Sequence, residues 1–177
     1  MVGFRTVQRT QLREAHMKLI GAYSSPYTRR VAITLRHYGI AHDIKKVTPF
    51  GDTKAWLRRI NPVAKIPILE LDDGEFVTES QVILDYLDTL VPEGLRLTPS
   101  TGPQRRKIQN LCGIAAAAVD KLVSVLYEFH FRPIDKVYKP WTKMCDEQTA
   151  DGRKGRTAQL NDRRCFRSQR TPADMTA

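Results

Sequence analysis

The chain is poor in most of the residues that would announce a metal, a disulfide or a membrane. Of its 177 residues only three are cysteines, Cys112, Cys145 and Cys165, odd in number, widely spaced and without a CxxC pair. Such a set builds neither a disulfide framework nor a zinc site, and it points to reduced thiols in a cytoplasmic protein. The four histidines fall at no ligand spacing, so no metal site is expected. No apolar run approaches the roughly 20 residues that cross a bilayer, and the basic N-terminus lacks the apolar core of an export signal. No membrane partner is expected, and there are no internal repeats. Negative charge is also in deficit: 29 Lys and Arg against 19 Asp and Glu give +10. Residues 1–16 carry +2 of this and residues 153–177 carry +5, which leaves +3 for 17–152. The excess therefore lies where no hydrophobic period supports a face. A phosphate-binding surface needs a folded element to present it, so no nucleic-acid partner is expected.

What is present begins at Met17. Lys18 to Tyr23 reads as a short apolar strand. Ser24-Ser25-Pro26 then opens a helix, with Ser25 as N-cap and Pro26 at the first helical position. Val31, Leu35 and Tyr38 recur at helical spacing, and Gly39 closes the helix. A second strand is expected over 41–47 and a short helix over 53–59, stopping before Asn61-Pro62. An apolar strand follows over 65–71. Asp73-Gly74 marks a tight turn into Glu75-Phe76-Val77. The last helix of this region opens at Glu79-Ser80, with Val82, Ile83, Tyr86, Leu87 and Leu90 on one face. The order β-α-β-α-β-β-α implies a small open sheet with helices on both faces.

Three features of this region carry chemistry. The serines at the first strand-to-helix turn stand at a helix N-terminus, whose free N–H groups and partial positive charge favour a thiolate. Either hydroxyl can donate a further hydrogen bond to it. Pro67 interrupts a strand pattern, which fits a strand start or a cis turn, a trans edge-strand proline being the alternative. A cis bond would leave the Ile66 backbone free to pair with an extended peptide. Glu79-Ser80 opens another helix, where N–H groups and the Ser80 hydroxyl make an anion site and Glu79 suits an amine. An α-amino acid, a peptide backbone and a thiol would all be received.

The segments SSPYTRRVAITL, NPVAKIPIL and DDGEFVTESQVILDYL resemble the N-terminal domain of cytosolic glutathione transferases, most closely the serine-type bacterial, tau-like and zeta-like members. The resemblance is strong over 17–99 and loose to about residue 151. It implies an α/β thioredoxin-like domain over 17–94, a linker at 95–102 and an incomplete all-α domain over 103–152. It assigns the catalytic hydroxyl to Ser25, the cysteinyl-glycine contacts to Lys65 and Ile66, the cis-proline to Pro67 and the γ-glutamyl pair to Glu79 and Ser80. Glutathione is implied as co-substrate, with no other cofactor. An electrophilic small molecule is the second substrate, its apolar pocket supplied by the helical domain, and a homodimer is implied. The absence of cysteine at Ser24-Ser25 argues against glutaredoxin-like chemistry. The alternative is a non-catalytic module of the same family used for protein association.

Beyond the linker, Ile108, Leu111, Cys112, Ala115, Val119, Leu122 and Leu126 mark a long amphipathic helix ending at Arg132-Pro133. A second helix is expected from about Trp141 to Asp151. Residues 153–177 are Arg-rich and aperiodic, and are expected to be disordered. The abrupt change favours out-of-frame translation over simple truncation, and residues 1–16 are expected to be a non-native or disordered extension before Met17.

Overall fold

The structure, a computed structural model, describes residues 17–161. The chain divides into two compact units, before and after Leu97–Thr98. The first contains β1 (Met17–Gly21), α1 (Pro26–Tyr38), β2 (His42–Lys46), α2 (Thr53–Ile60), β3 (Ile68–Glu70), β4 (Phe76–Thr78) and α3 (Ser80–Thr89), then a 3-10 turn at Glu93–Leu95. This is the β-α-β-α-β-β-α order that the sequence predicts.

Local signals set the element ends. Ser25 caps α1 in extended geometry, and Pro26 occupies the first turn, where its missing N–H costs nothing. Gly39 ends the helix at φ 68°, a left-handed conformation that only glycine adopts without strain, and Ile40 N–H then reaches back to the Leu35 carbonyl at 2.9 Å. In the β3–β4 turn Gly74 also has positive φ, and the Asp73 carboxylate accepts from Glu75 N–H at 2.9 Å. The third strand is shorter than the expected 65–71, because the chain up to Pro67 is taken by a hydrogen-bonded loop rather than a ladder.

The sheet order is β2-β1-β3-β4, with β1 and β2 parallel and the other neighbours antiparallel. Alternation along the central strands sends side chains to opposite faces. Leu19 and Leu69 join Val31 and Leu35 of α1 and Ile83 and Leu87 of α3 on one side. Ile20 and Ile68 join Leu57 of α2, with Val47 and Ala64, on the other. Each of these leucines and isoleucines is fully buried, contributing about 1.5–3 kcal/mol apiece. The sheet is thus covered on both faces.

The second unit is a helical hairpin: α4 (Gly102–Phe131), a 3-10 turn at Ile134–Lys136 and α5 (Lys139–Asn161). Pro133 stops α4, since it disfavours helical geometry at Arg132 before it. The Thr149 hydroxyl donates to the Ala118 carbonyl at 3.3 Å, and a Cβ added at Gly152 would lie 2.7 Å from that of Ala118. At Gly152 the two helices approach closely.

Two expectations need correction. α5 starts earlier than Trp141 and continues past Asp151 to Asn161, so residues 153–161 are helical rather than irregular. Arg, Lys, Ala, Gln and Leu in that stretch are good helix formers, and no proline interrupts them. Helix propensity, not an amphipathic period, carries the segment. Second, α4 includes an 18-residue window long and apolar enough, by length and composition alone, to cross a membrane, although Asp120 and Lys121 interrupt its apolar run. Only 6% of that window is buried within the chain, and Leu122, Leu126, Phe129 and Phe131 are exposed. The expectations for residues 1–16 and 162–177 lie outside the described residues.

Candidate functional site

The strand register assembles the predicted site. The last β1–β3 pair is Ile20 with Ile68, so the residues just beyond it, Gly21 and Pro67, lie at the same end of the sheet. The β3–β4 pair Ile68 with Thr78 brings Glu79 to that end as well. Three adjacent strands therefore deliver the Ser25 turn, Pro67 and Glu79-Ser80 to one edge. At about 4.8 Å between strands the edge spans about 10 Å, the reach of an extended tripeptide.

Ser25 is half-buried, and its Oγ accepts from Thr28 N–H at 3.3 Å. Capping the helix this way uses a lone pair and leaves the hydroxyl proton to donate elsewhere. Ser24 is exposed in the preceding turn, where Ser25 N–H bonds the Ala22 carbonyl at 2.9 Å. Of the two serines, it is Ser25 that stands at the helix N-terminus.

The Ile66–Pro67 bond is cis, and Pro67 is buried. Ile66 lies beyond the paired part of β3, so its N–H is outside the ladder. Lys65 is exposed. Glu79 is exposed and adopts φ 71°, a conformation uncommon for a residue with a side chain and often retained at functional sites. Ser80 is buried and donates to the Glu79 carboxylate at 3.2 Å. α3 has no side-chain cap, so no side chain of its N-cap residue accepts from its first N–H groups.

Further supports escaped the sequence reading. Arg30 donates to the Gln81 side chain at 2.6 Å and ties α1 to the first turn of α3. Asn61 holds the loop before the cis-proline. Tyr38 donates to the buried Asp88 carboxylate and accepts from Leu97 N–H at 2.7 Å, anchoring the chain after α3. Burial, and then that bond to Asp88, push the Tyr38 phenol well above its ordinary pKa. The Arg30–Gln81 and Tyr38–Asp88 pairs join residues about fifty positions apart, beyond any local spacing signal. Thr28 is fully buried against Gly21, and its hydroxyl has no hydrogen-bond partner. Among the described residues no His, Cys, Asp and Glu group is arranged to hold a metal ion.

A four-stranded mixed sheet with helices on both faces and a cis-proline leading β3 defines a thioredoxin-like domain, followed here by a helical unit. Residues 19–95 match the glutathione S-transferase N-terminal domain family. A glutathione transferase family member from Pseudomonas fluorescens Pf-5, solved with bound glutathione, superposes with a TM-score of 0.70 at 30% identity, over 77% of this chain and 67% of that one. The chain belongs to the glutathione S-transferase family. The uncharacterized GST-like protein YibF of Escherichia coli is 33% identical over 112 residues, which are 62% of this chain and 54% of that protein. The probable glutathione S-transferase GSTU6 of Oryza sativa is 36% identical over 108 residues, 60% of this chain and 45% of that protein. The chain thus spans about half the length of these curated relatives.

Proposed function

We propose that the chain binds glutathione along this sheet edge and transfers its thiolate to an electrophilic carbon. The register that gathers the Ser25 turn, the cis Ile66–Pro67 bond and Glu79-Ser80 at one end of the sheet is the observation that carries the reading. Each part of glutathione has a chemical counterpart. The free N–H groups of α3, with the Ser80 hydroxyl turned from Glu79, suit the γ-glutamyl carboxylate, and the Glu79 carboxylate so released suits its ammonium. The Ile66 backbone suits the cysteinyl peptide, and the Lys65 ammonium suits a carboxylate beside it.

The Ser25 hydroxyl and the positive end of α1 stabilise the sulfur as thiolate, so more of it is ionised at neutral pH. The thiol proton leaves to solvent. The sulfur lone pair then forms a carbon–sulfur bond as the leaving group departs with its electrons. Ser25 acts by donating a hydrogen bond to the anionic sulfur and is not itself modified.

A second reading, a non-catalytic association module, draws support from the exposed Leu122, Leu126, Phe129 and Phe131 on α4. The two separate experimentally. The transferase reading expects retention on immobilised glutathione and conjugation of an activated aryl halide. It also expects Ser25→Ala to reduce turnover about 100-fold, the loss of one donor to a developing or stabilised anion. Retention without conjugation selects the association module, and conjugation that ignores Ser25→Ala refutes the assignment of the hydroxyl to Ser25. Failure to bind glutathione refutes the site assignment.

A further inference from the structure

We infer that Asn61 is a positioning residue for this site, acting through the Lys65–Ile66 peptide; the inference rests on the glutathione reading above. Asn61 follows α2, and all four of its polar groups are engaged. Its N–H bonds the Leu57 carbonyl at 2.8 Å, and its carbonyl accepts from Ala64 N–H at 2.7 Å. Its Oδ1 accepts from Val63 N–H at 3.1 Å, and its Nδ2 donates to the Lys65 carbonyl at 3.2 Å. Inside this ring of bonds Ala64 is buried at φ 55°, a left-handed conformation that needs such support in a residue other than glycine.

The first three bonds close a turn, and an aspartate would make them equally well. The fourth requires a side-chain donor. It is therefore the carboxamide nitrogen, aimed at Lys65, that makes asparagine the fitting residue. The peptide it grips is planar and trans, the cis bond being the next one along. In a trans peptide the C=O and N–H point in opposite directions. A donor fixed on the Lys65 carbonyl consequently turns the Ile66 N–H away from Asn61. That N–H lies beyond the last β1–β3 pair, directly before Pro67, where an extended peptide ligand would meet it. Bonding at the carbonyl also polarises the peptide, strengthening its N–H as a donor. Asn61 thus orients one amide for a ligand that Asn61 never touches.

Asn61→Asp tests this, since it keeps the acceptor for Val63 and replaces the donor with an oxygen facing the Lys65 carbonyl. Glutathione affinity should fall about tenfold, the scale of one positioned hydrogen bond. The KM for glutathione should rise with kcat within about twofold, because the bond acts on the bound peptide and not on the sulfur. The Ile66 amide resonance in ligand-free protein should shift. Affinity within about twofold of the wild type overturns the inference, and so does an unmoved Ile66 resonance. Should the aspartate variant not fold, Asn61→Ser decides in its place, being able to accept from Val63 but too short to reach Lys65. A wild-type protein that does not bind glutathione refutes the functional reading instead. The Ile66 resonance still decides whether Asn61 sets that peptide.

Discussion

Replacing Gly21 with alanine should expose how tightly α1 is set against the end of β1. An added Cβ would lie 2.5 Å from Thr28 Oγ1, 2.9 Å from its Cγ2 and 3.3 Å from its Cβ. Rotation about χ1 cannot relieve the overlap, because both near positions are filled and every staggered rotamer leaves at least one heavy branch of the threonine in them. Thr28 is fully buried, so the relief must come from moving the first turn of α1. Overpacking of this kind costs about 1–3 kcal/mol, offset by about 0.5–1 kcal/mol because alanine loses less entropy than glycine on folding. A net loss of about 1–2 kcal/mol lowers the midpoint of a unit this size by about 4–15 °C. Thermal unfolding followed by Trp56 fluorescence in a Trp141→Phe background reads the first unit alone. The double variant Gly21→Ala, Thr28→Ala should recover most of the loss, giving a coupling of at least about 1 kcal/mol. A destabilisation below about 0.5 kcal/mol, or strict additivity, would refute the argument that this contact fixes the start of α1.

Two further perturbations test other parts of the molecule. Tyr38→Phe removes the hydroxyl shared by Asp88 and Leu97 N–H, and should cost about 1–2 kcal/mol at neutral pH. Because the phenol pKa is raised on folding, its contribution is complete below about pH 10 and is lost as pH rises further. Urea unfolding should therefore show the wild type's advantage shrinking above about pH 10, and a pH-independent difference counts against the assignment. Tyr86, also raised by burial and then by Asp73, keeps some alkaline slope in both proteins. In the helical unit, Gly155→Ala enters open space and should stabilise α5 by about 1 kcal/mol. Gly152→Ala meets Ala118 and should be less stable than its Gly155 counterpart by about 1–3 kcal/mol. Equal melting of the two variants by circular dichroism would show that the helices do not pack closely there.

The sheet and its helices were legible because their signals are local. Ser25-Pro26 and Gly39 bracket α1, Asp73-Gly74 makes the hairpin, and alternation along β1 and β3 sorts side chains between two cores. The shared placement of the candidate residues could be anticipated in the same way, since serine, proline and the acid-serine pair each sit at an element end. What holds those ends together could not. Arg30 with Gln81 and Tyr38 with Asp88 are polar partners brought together only by packing α1 beside α3. The positive φ of Glu79 belongs to the path between β4 and α3, and no residue type announces it. The end of α5 was misjudged for the opposite reason: helix propensity continued after the apolar period had stopped.

The β3–β4 turn lies at the far end of the sheet from the candidate site, yet it acts as that site's spacer. β4 is fixed in register only by its pairing to β3, and Glu79 follows at once after Thr78. One residue added between Asp72 and Glu75 and carried through as a slip would displace Glu79-Ser80 by about 3.4 Å relative to Pro67. It would also turn the β4 side chains to the opposite face. The distance between the two ends of any ligand held there is thus written into the length of a surface loop that the ligand never meets.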